Sequence, residues 1–192
     1  AIVPRFFRFR PRLLAVVALG LIATGAEARP KPASTRVEPI IAAAEPEAVE
    51  AGMAVLKRGG TAADAAVTVQ TVLGLVEPQS SGLGGGSFML YYDAETGTIT
   101  DYNGREKAPA AATADLFLGT DGKPLPFGTA VVSGRATGVP GAVFMLDQVH
   151  KDHGELAWNT LFDPAIVQAD QGFKITPRLG NYLARGGFPQ KN

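Results

Sequence analysis

Residues 78–109 read PQSSGLGGGSFMLYYDAETGTITDYNGREKAP, and this stretch most limits what the chain can become. A glycine-rich loop, Gly82–Gly86, runs into the apolar run Ser87–Tyr92. A polar turn, Ala94–Gly97, then runs into a second strand-like segment, Thr98–Tyr102. Such a pattern predicts a β-hairpin, because a loop of about four residues ending in glycine is an ordinary hairpin connection. Thr98, Ile99, Thr100 and Tyr102 are good strand formers. Phe88 to Tyr92 are apolar or aromatic on both faces, which predicts an interior strand. Antiparallel pairing about the turn sets Ser87 opposite Gly104, so Gly84–Gly86 and Arg105 should meet at the open end of the hairpin. Glycine permits close approach and arginine presents a planar fork of donors, a combination suited to a carboxylate. For Arg105 the competing expectation is a surface ion pair with Glu106 or Asp101.

Upstream, residues 45–58 have helical spacing of Ala48, Ala51, Val55 and Leu56. Acids lie early and Lys57 and Arg58 late, as the helix dipole favours. Gly59-Gly60 should end this helix. Thr61 should cap the next, with Asp64 completing a capping box, so Asp64 is read as a cap and not a catalytic acid. Ala62–Val76 is apolar almost all round and predicts a buried helix. Glu77, one carboxylate with no visible partner, is expected at a solvated helix end.

Downstream, Asp115–Leu118 suggests a helical turn, 124–126 a surface loop and Val131-Val132 a short strand. A second glycine-rich stretch, 134–141, leads into an amphipathic helix at 142–151 lined by Val143, Leu146, Val149 and His150. Further helical segments are expected within 156–171, around Pro164, and at 176–184. Buried helices with an apolar hairpin give a layered α+β class.

The remaining composition excludes several chemistries. Lysine plus arginine equals aspartate plus glutamate at 18 each, with no basic patch to suggest nucleic acid. Absence of cysteine excludes disulfides, thiolate metal sites and a cysteine nucleophile. GLGGG follows a helix and opens a strand, the reverse of a dinucleotide fingerprint, and no Gly-Lys-Ser/Thr follows it. His150 and His153 form H-x-x-H without further His or Cys ligands, so no metal site is expected, and both are placed at an exposed helix end. Neither suggests a Ser-His-Asp triad with Ser80 or Ser81, which lack a nucleophile elbow.

Residues 1–28 read as a secretory signal: Arg5, Arg8, Arg10 and Arg12, an apolar run over Leu13–Ala23, and an A-x-A site at Ala26-Glu27-Ala28. The apolar run is too short for a membrane anchor. Residues 29–39, with three prolines, read as a linker, and residues 40–192 as the folded part. A secreted or periplasmic location is expected. The start at Ala1 and the lack of a closing element suggest a segment of a longer protein.

The blocks GGTAADAAVTVQTVLGLVEPQSSGLGGGSFML and GREKAPAAAT, in this order, resemble the gamma-glutamyltranspeptidase family of N-terminal-nucleophile hydrolases. The resemblance extends from about Ile40 to Phe173 and implies the N-terminal part of a large subunit, within a four-layer αββα sandwich. It implies γ-glutamyl transfer from glutathione or related amides to water or amino acids, without a cofactor. It further implies that Arg105, in Arg105-Glu106-Lys107-Ala108-Pro109, holds the donor's α-carboxylate. The family's nucleophile is a threonine freed by self-cleavage at a Thr-Thr-His-like junction. No such junction occurs in this chain, since Val149 and Asp152 precede the histidines. The nucleophile, the oxyanion hole and the small subunit are therefore expected downstream, and the chain alone is expected to be inactive. Two alternatives stay open: a related acylase acting on glutaryl or β-lactam side chains, and a noncatalytic secreted binding module.

Overall fold

The structure is a computed structural model that describes residues 38–186. The expected signal at 1–28 lies outside the described residues, as does nearly all of the expected linker at 29–39. Helix α1 spans Pro46–Lys57, starting on a proline and ending at Gly59-Gly60. Helix α2 spans Ala62–Val76. The capping box forms as expected: Thr61 Oγ1 accepts from Asp64 N at 3.2 Å, and Asp64 Oδ2 accepts from Thr61 N at 2.8 Å.

Helix α2 is the central element. Val67 and Val72 are fully buried, and α2 packs against α1, against helix α4 (Ala142–His153) and against helix α5 (Asp163–Gln171). One core joins Val55, Val67, Leu146, Val149 and Leu161; a second joins Ala48, Val72 and Val76. Trp158 starts a short 3-10 turn and meets His150 and Phe162 edge-on. Helix α6, Pro177–Ala184, is capped by Thr176, whose hydroxyl also donates to the buried Glu45 Oε1 at 2.7 Å.

Strands β1 (Ser87–Asp93) and β2 (Thr98–Gly104) form the hairpin in the expected register, with Ser87 opposite Gly104. Asp93 organises the turn, accepting from Glu95 N at 2.8 Å and Thr96 Oγ1 at 2.9 Å. Gly97 supplies the positive φ of 69° that closes it. Met89, Tyr91 and Tyr102 face the helices. Phe88, Leu90 and Tyr92, however, are 63%, 74% and 63% exposed, so β1 is not an interior strand among the described residues. Alternate side chains point to opposite faces, and here α4 covers one face only.

Four further expectations are corrected. Val131 ends a short helix, α3 (Phe127–Val131), and no strand forms at 131–132. Pro126 starts this turn, and its carbonyl accepts from Thr129 N and Ala130 N. Along α4 the buried residues are Ala142, Met145, Leu146 and Val149, whereas Val143 is exposed. The histidines are not free at a helix end. His150 Nε2 donates to Leu156 O at 2.8 Å and lies 3.4 Å from Asp64 Oδ1, with its side chain only 16% exposed. His153 stacks on Tyr91 with ring centres 3.8 Å apart and contacts the Tyr102 hydroxyl at 2.9 Å. Tyr102 donates to Asp152 Oδ2 at 2.8 Å, and burial followed by this bond pushes its pKa up to about 12. Finally, Glu77 is fully buried rather than solvated.

The hairpin meets α4 through two glycines without side-chain clearance. A Cβ on Gly104 would stand 2.6 Å from Met145 Cβ and 2.8 Å from Gly141 O. One on Gly141 would press on Gly104 O and stand 3.0 Å from Arg105 O. Gly104→Ala is therefore expected to destabilise the fold by about 1–3 kcal/mol, because backbone atoms cannot swing aside. Thermal unfolding checks this, and an unchanged midpoint would show that the two segments can separate freely.

Candidate functional site

Three segments converge at the open end of the hairpin: the glycine loop, residues 104–107 and residues 138–142. The carbonyl of Gly85 accepts from Gly141 N at 3.1 Å and Ala142 N at 3.0 Å, at the start of α4. Lys107 and Val139 exchange backbone hydrogen bonds at 3.3 and 2.8 Å. The glycine loop is thus tied to a helix N-terminus whose first donors would otherwise lack partners.

Glu106 sits at the centre of this corner. A Cβ on Gly86 would meet its carboxylate and stand 2.8 Å from its backbone nitrogen; one on Gly138 would stand 3.2 Å from its Cβ. Arg105 Nη1 lies 3.0 Å from Glu106 Oε2, with the arginine side chain 67% exposed and the glutamate 32% exposed. That oxygen makes no directed hydrogen bond, so the contact is one of charge rather than of paired donors. Glu106 therefore stands between the glycines and Arg105, which the sequence alone placed side by side. The Arg105–Glu106 ion pair is also present as the competing expectation had it.

Two cavities flank the corner. A polar cleft of about 460 Å³ is walled by Gln70, Ser80, Ser81, Gly85, Gly86 and Glu106. A second of about 280 Å³ is walled by Asn103, Arg105, Val139, Pro140 and Phe144. Glu106 walls the first and Arg105 the second, so the charged pair stands between the two cavities and could receive an amino-acid-like ligand with carboxylate and ammonium ends. Asn103 Oδ1 accepts from Arg105 N at 3.0 Å and holds the backbone that presents the guanidinium.

Ser80 and Ser81 wall the cleft, and Ser80 Oγ accepts from Arg178 Nη2 at 3.2 Å. The imidazoles of His150 and His153 are engaged elsewhere, so no Ser-His pair is assembled among the described residues. The described residues contain no group of three or more acidic or imidazole side chains able to hold a metal ion. Sequence reasoning missed Glu106, Val139–Gly141 and Arg178 as parts of the corner. The glycines of 134–141 were the available signal for the second; Arg178 left none.

The α+β fold is part of an N-terminal-nucleophile hydrolase sandwich, as shown by the solved structures it overlies. Residues 48–189 match the gamma-glutamyltranspeptidase family profile, and the chain belongs to this family. It is 43% identical over 145 residues to the glutathione hydrolase proenzyme of Bacillus subtilis, covering 76% of this chain and 25% of that protein. It overlies the gamma-glutamyltranspeptidase of Helicobacter pylori with a TM-score of 0.72 and 34% identity, covering 81% of this chain and 44% of that one. It also overlies the cephalosporin acylase of Bacillus halodurans, with a TM-score of 0.65 and 30% identity, covering 77% of this chain and 28% of that one. The chain spans about a quarter of the length of the curated relatives it matches.

Proposed function

We propose that this chain is the N-terminal part of the large subunit of a gamma-glutamyltransferase, or glutathione hydrolase. Its corner around Arg105 would bind the donor's α-carboxylate. The observation that carries the reading is the meeting of Gly85–Gly86 with the Arg105–Glu106 pair, inside a matched segment of a chain from this family. The large-subunit portion is residues 40–192. A threonine freed by self-cleavage elsewhere in the full-length precursor supplies the nucleophile. Its own amine accepts the hydroxyl proton, the hydroxyl oxygen attacks the γ-carbonyl, and the amine of the leaving group departs with a proton. The γ-glutamyl ester is then taken by water or by the amine of an amino acid, which regenerates the threonine. The C-terminal product of self-cleavage is the partner subunit.

A second reading has one specific support, the overlay on a cephalosporin acylase. A glutamyl pocket must serve an ammonium and a carboxylate, whereas a glutaryl pocket serves only the carboxylate. Full-length protein assayed on γ-glutamyl and glutaryl anilides separates the two. Turnover of the γ-glutamyl compound is expected, and a preference for the glutaryl one would overturn the transferase reading.

The protein is further proposed to be exported, to the periplasm or outside the cell. None of the described helices is long and apolar enough to cross a membrane. Cleavage is expected after Ala28, so N-terminal sequencing of exported protein should begin at Arg29. Retention of Leu13–Ala23 would instead indicate an anchor.

A further inference from the structure

Helix α2 ends on a buried carboxylate that the proposed chemistry does not use. Glu77 is fully buried, and a carboxylate out of water is tolerated when it is paired and hydrogen-bonded. Its Oε2 accepts from Gln79 Nε2 at 2.7 Å and lies 3.2 Å from Arg178 Nε. Its backbone carbonyl accepts from Ser80 N and Ser81 N, both at 2.9 Å. Arg178 also donates from Nη2 to Ser80 Oγ at 3.2 Å. One guanidinium from α6 therefore spans the turn that follows α2, touching Glu77 at its root and Ser80 at its rim.

That turn is the wall of the polar cleft, since Ser80 and Ser81 line it. The wall continues to Gly82, whose carbonyl accepts from Gln70 Nε2 at 3.3 Å, and on to Gly85 and Gly86 beside Glu106. We infer that Arg178 is a positioning residue for the donor site: by bridging Glu77 and Ser80 it sets the cleft wall and hence donor affinity. The inference rests on the proposed reading of the Arg105–Glu106 corner as the donor site, which this cleft adjoins through Glu106.

Arg178 does not hold α6 in place by packing. Its side chain is 57% exposed, while α6 is anchored by the buried Leu179 and by Thr176 on Glu45. Arg178→Lys retains a cation for Glu77 but cannot place two separated donors on Glu77 and Ser80. Ser80→Ala removes the other end of the same bridge and leaves the Glu77 pair intact.

The test uses the full-length, self-processed protein and whichever of the γ-glutamyl and glutaryl anilides it turns over. Arg178→Lys, Ser80→Ala and the double variant are compared for KM, kcat and Tm. Each single change should raise KM about threefold to tenfold with kcat within about twofold, and the double change should be no worse than the larger single one. Unchanged KM in Ser80→Ala, KM effects that multiply in the double variant, or a loss confined to Tm would each overturn the inference. Arg105→Ala is measured in parallel. If it too leaves KM unchanged, the donor-site reading itself has failed. If it raises KM while the other variants do not, only the role of Arg178 has failed.

Discussion

Replacing Arg105 by alanine in the full-length protein should lower kcat/KM for a γ-glutamyl anilide by about 2–5 kcal/mol of transition-state binding, mostly as a rise in KM. Among the described residues Arg105 forms its ion pair with Glu106, 3.0 Å away, and its side chain is 67% exposed. Exposed pairs of this kind contribute little to stability, so the substitution should leave folding and self-cleavage largely intact. The loss comes when substrate desolvates the guanidinium, because a donor carboxylate then loses a charge-assisted partner. Arg105→Lys should recover only part of the loss, since an ammonium cannot offer the paired fork. A specificity constant within about threefold of the parent, under about 1 kcal/mol, would leave Arg105 as one half of a surface ion pair.

Asp64→Ala should produce the other large effect, on stability. Asp64 is fully buried, and its Oδ2 accepts from Thr61 N, Glu155 N and Leu156 N at 2.8, 3.1 and 3.3 Å. Alanine would uncap α2, strand the two backbone donors of the segment after α4, and remove the acid beside His150. Stranded donors and a lost cap together should cost about 3–5 kcal/mol. Asp64→Asn, which keeps one acceptor oxygen, should cost less. Chemical denaturation followed by circular dichroism measures both, and a loss below about 1 kcal/mol for alanine would reduce Asp64 to a local cap. The expected defect is in folding, so any folded Asp64→Ala protein should retain its donor affinity.

The local features were legible because their causes lie within a few residues. The Thr61–Asp64 box, the turn closed by Gly97 and the Ser87–Gly104 register each depend on spacing and on short-range backbone geometry. Membership of the family was legible for a related reason: the glycine loop and GREKAP are contiguous strings, and their order survives in the sequence.

What the tertiary structure alone decided are pairings between distant segments. Periodicity showed that Phe88–Tyr92 is apolar on both faces, but which face is covered depends on where α4 lies, and Leu90 points away from it. Glu77 looked like a solvated helix end because Arg178, its counter-charge, arrives from α6. Asp64 was recognised as a cap, yet its bonds to Glu155 and Leu156 come from more than 90 residues away. Glu106 likewise comes between the glycines and Arg105 only because residues 138–142 press the chain onto the glycine loop. Burial and charge compensation are properties of elements brought together by folding, so a single stretch of chain carries the demand for a partner without saying which residue meets it.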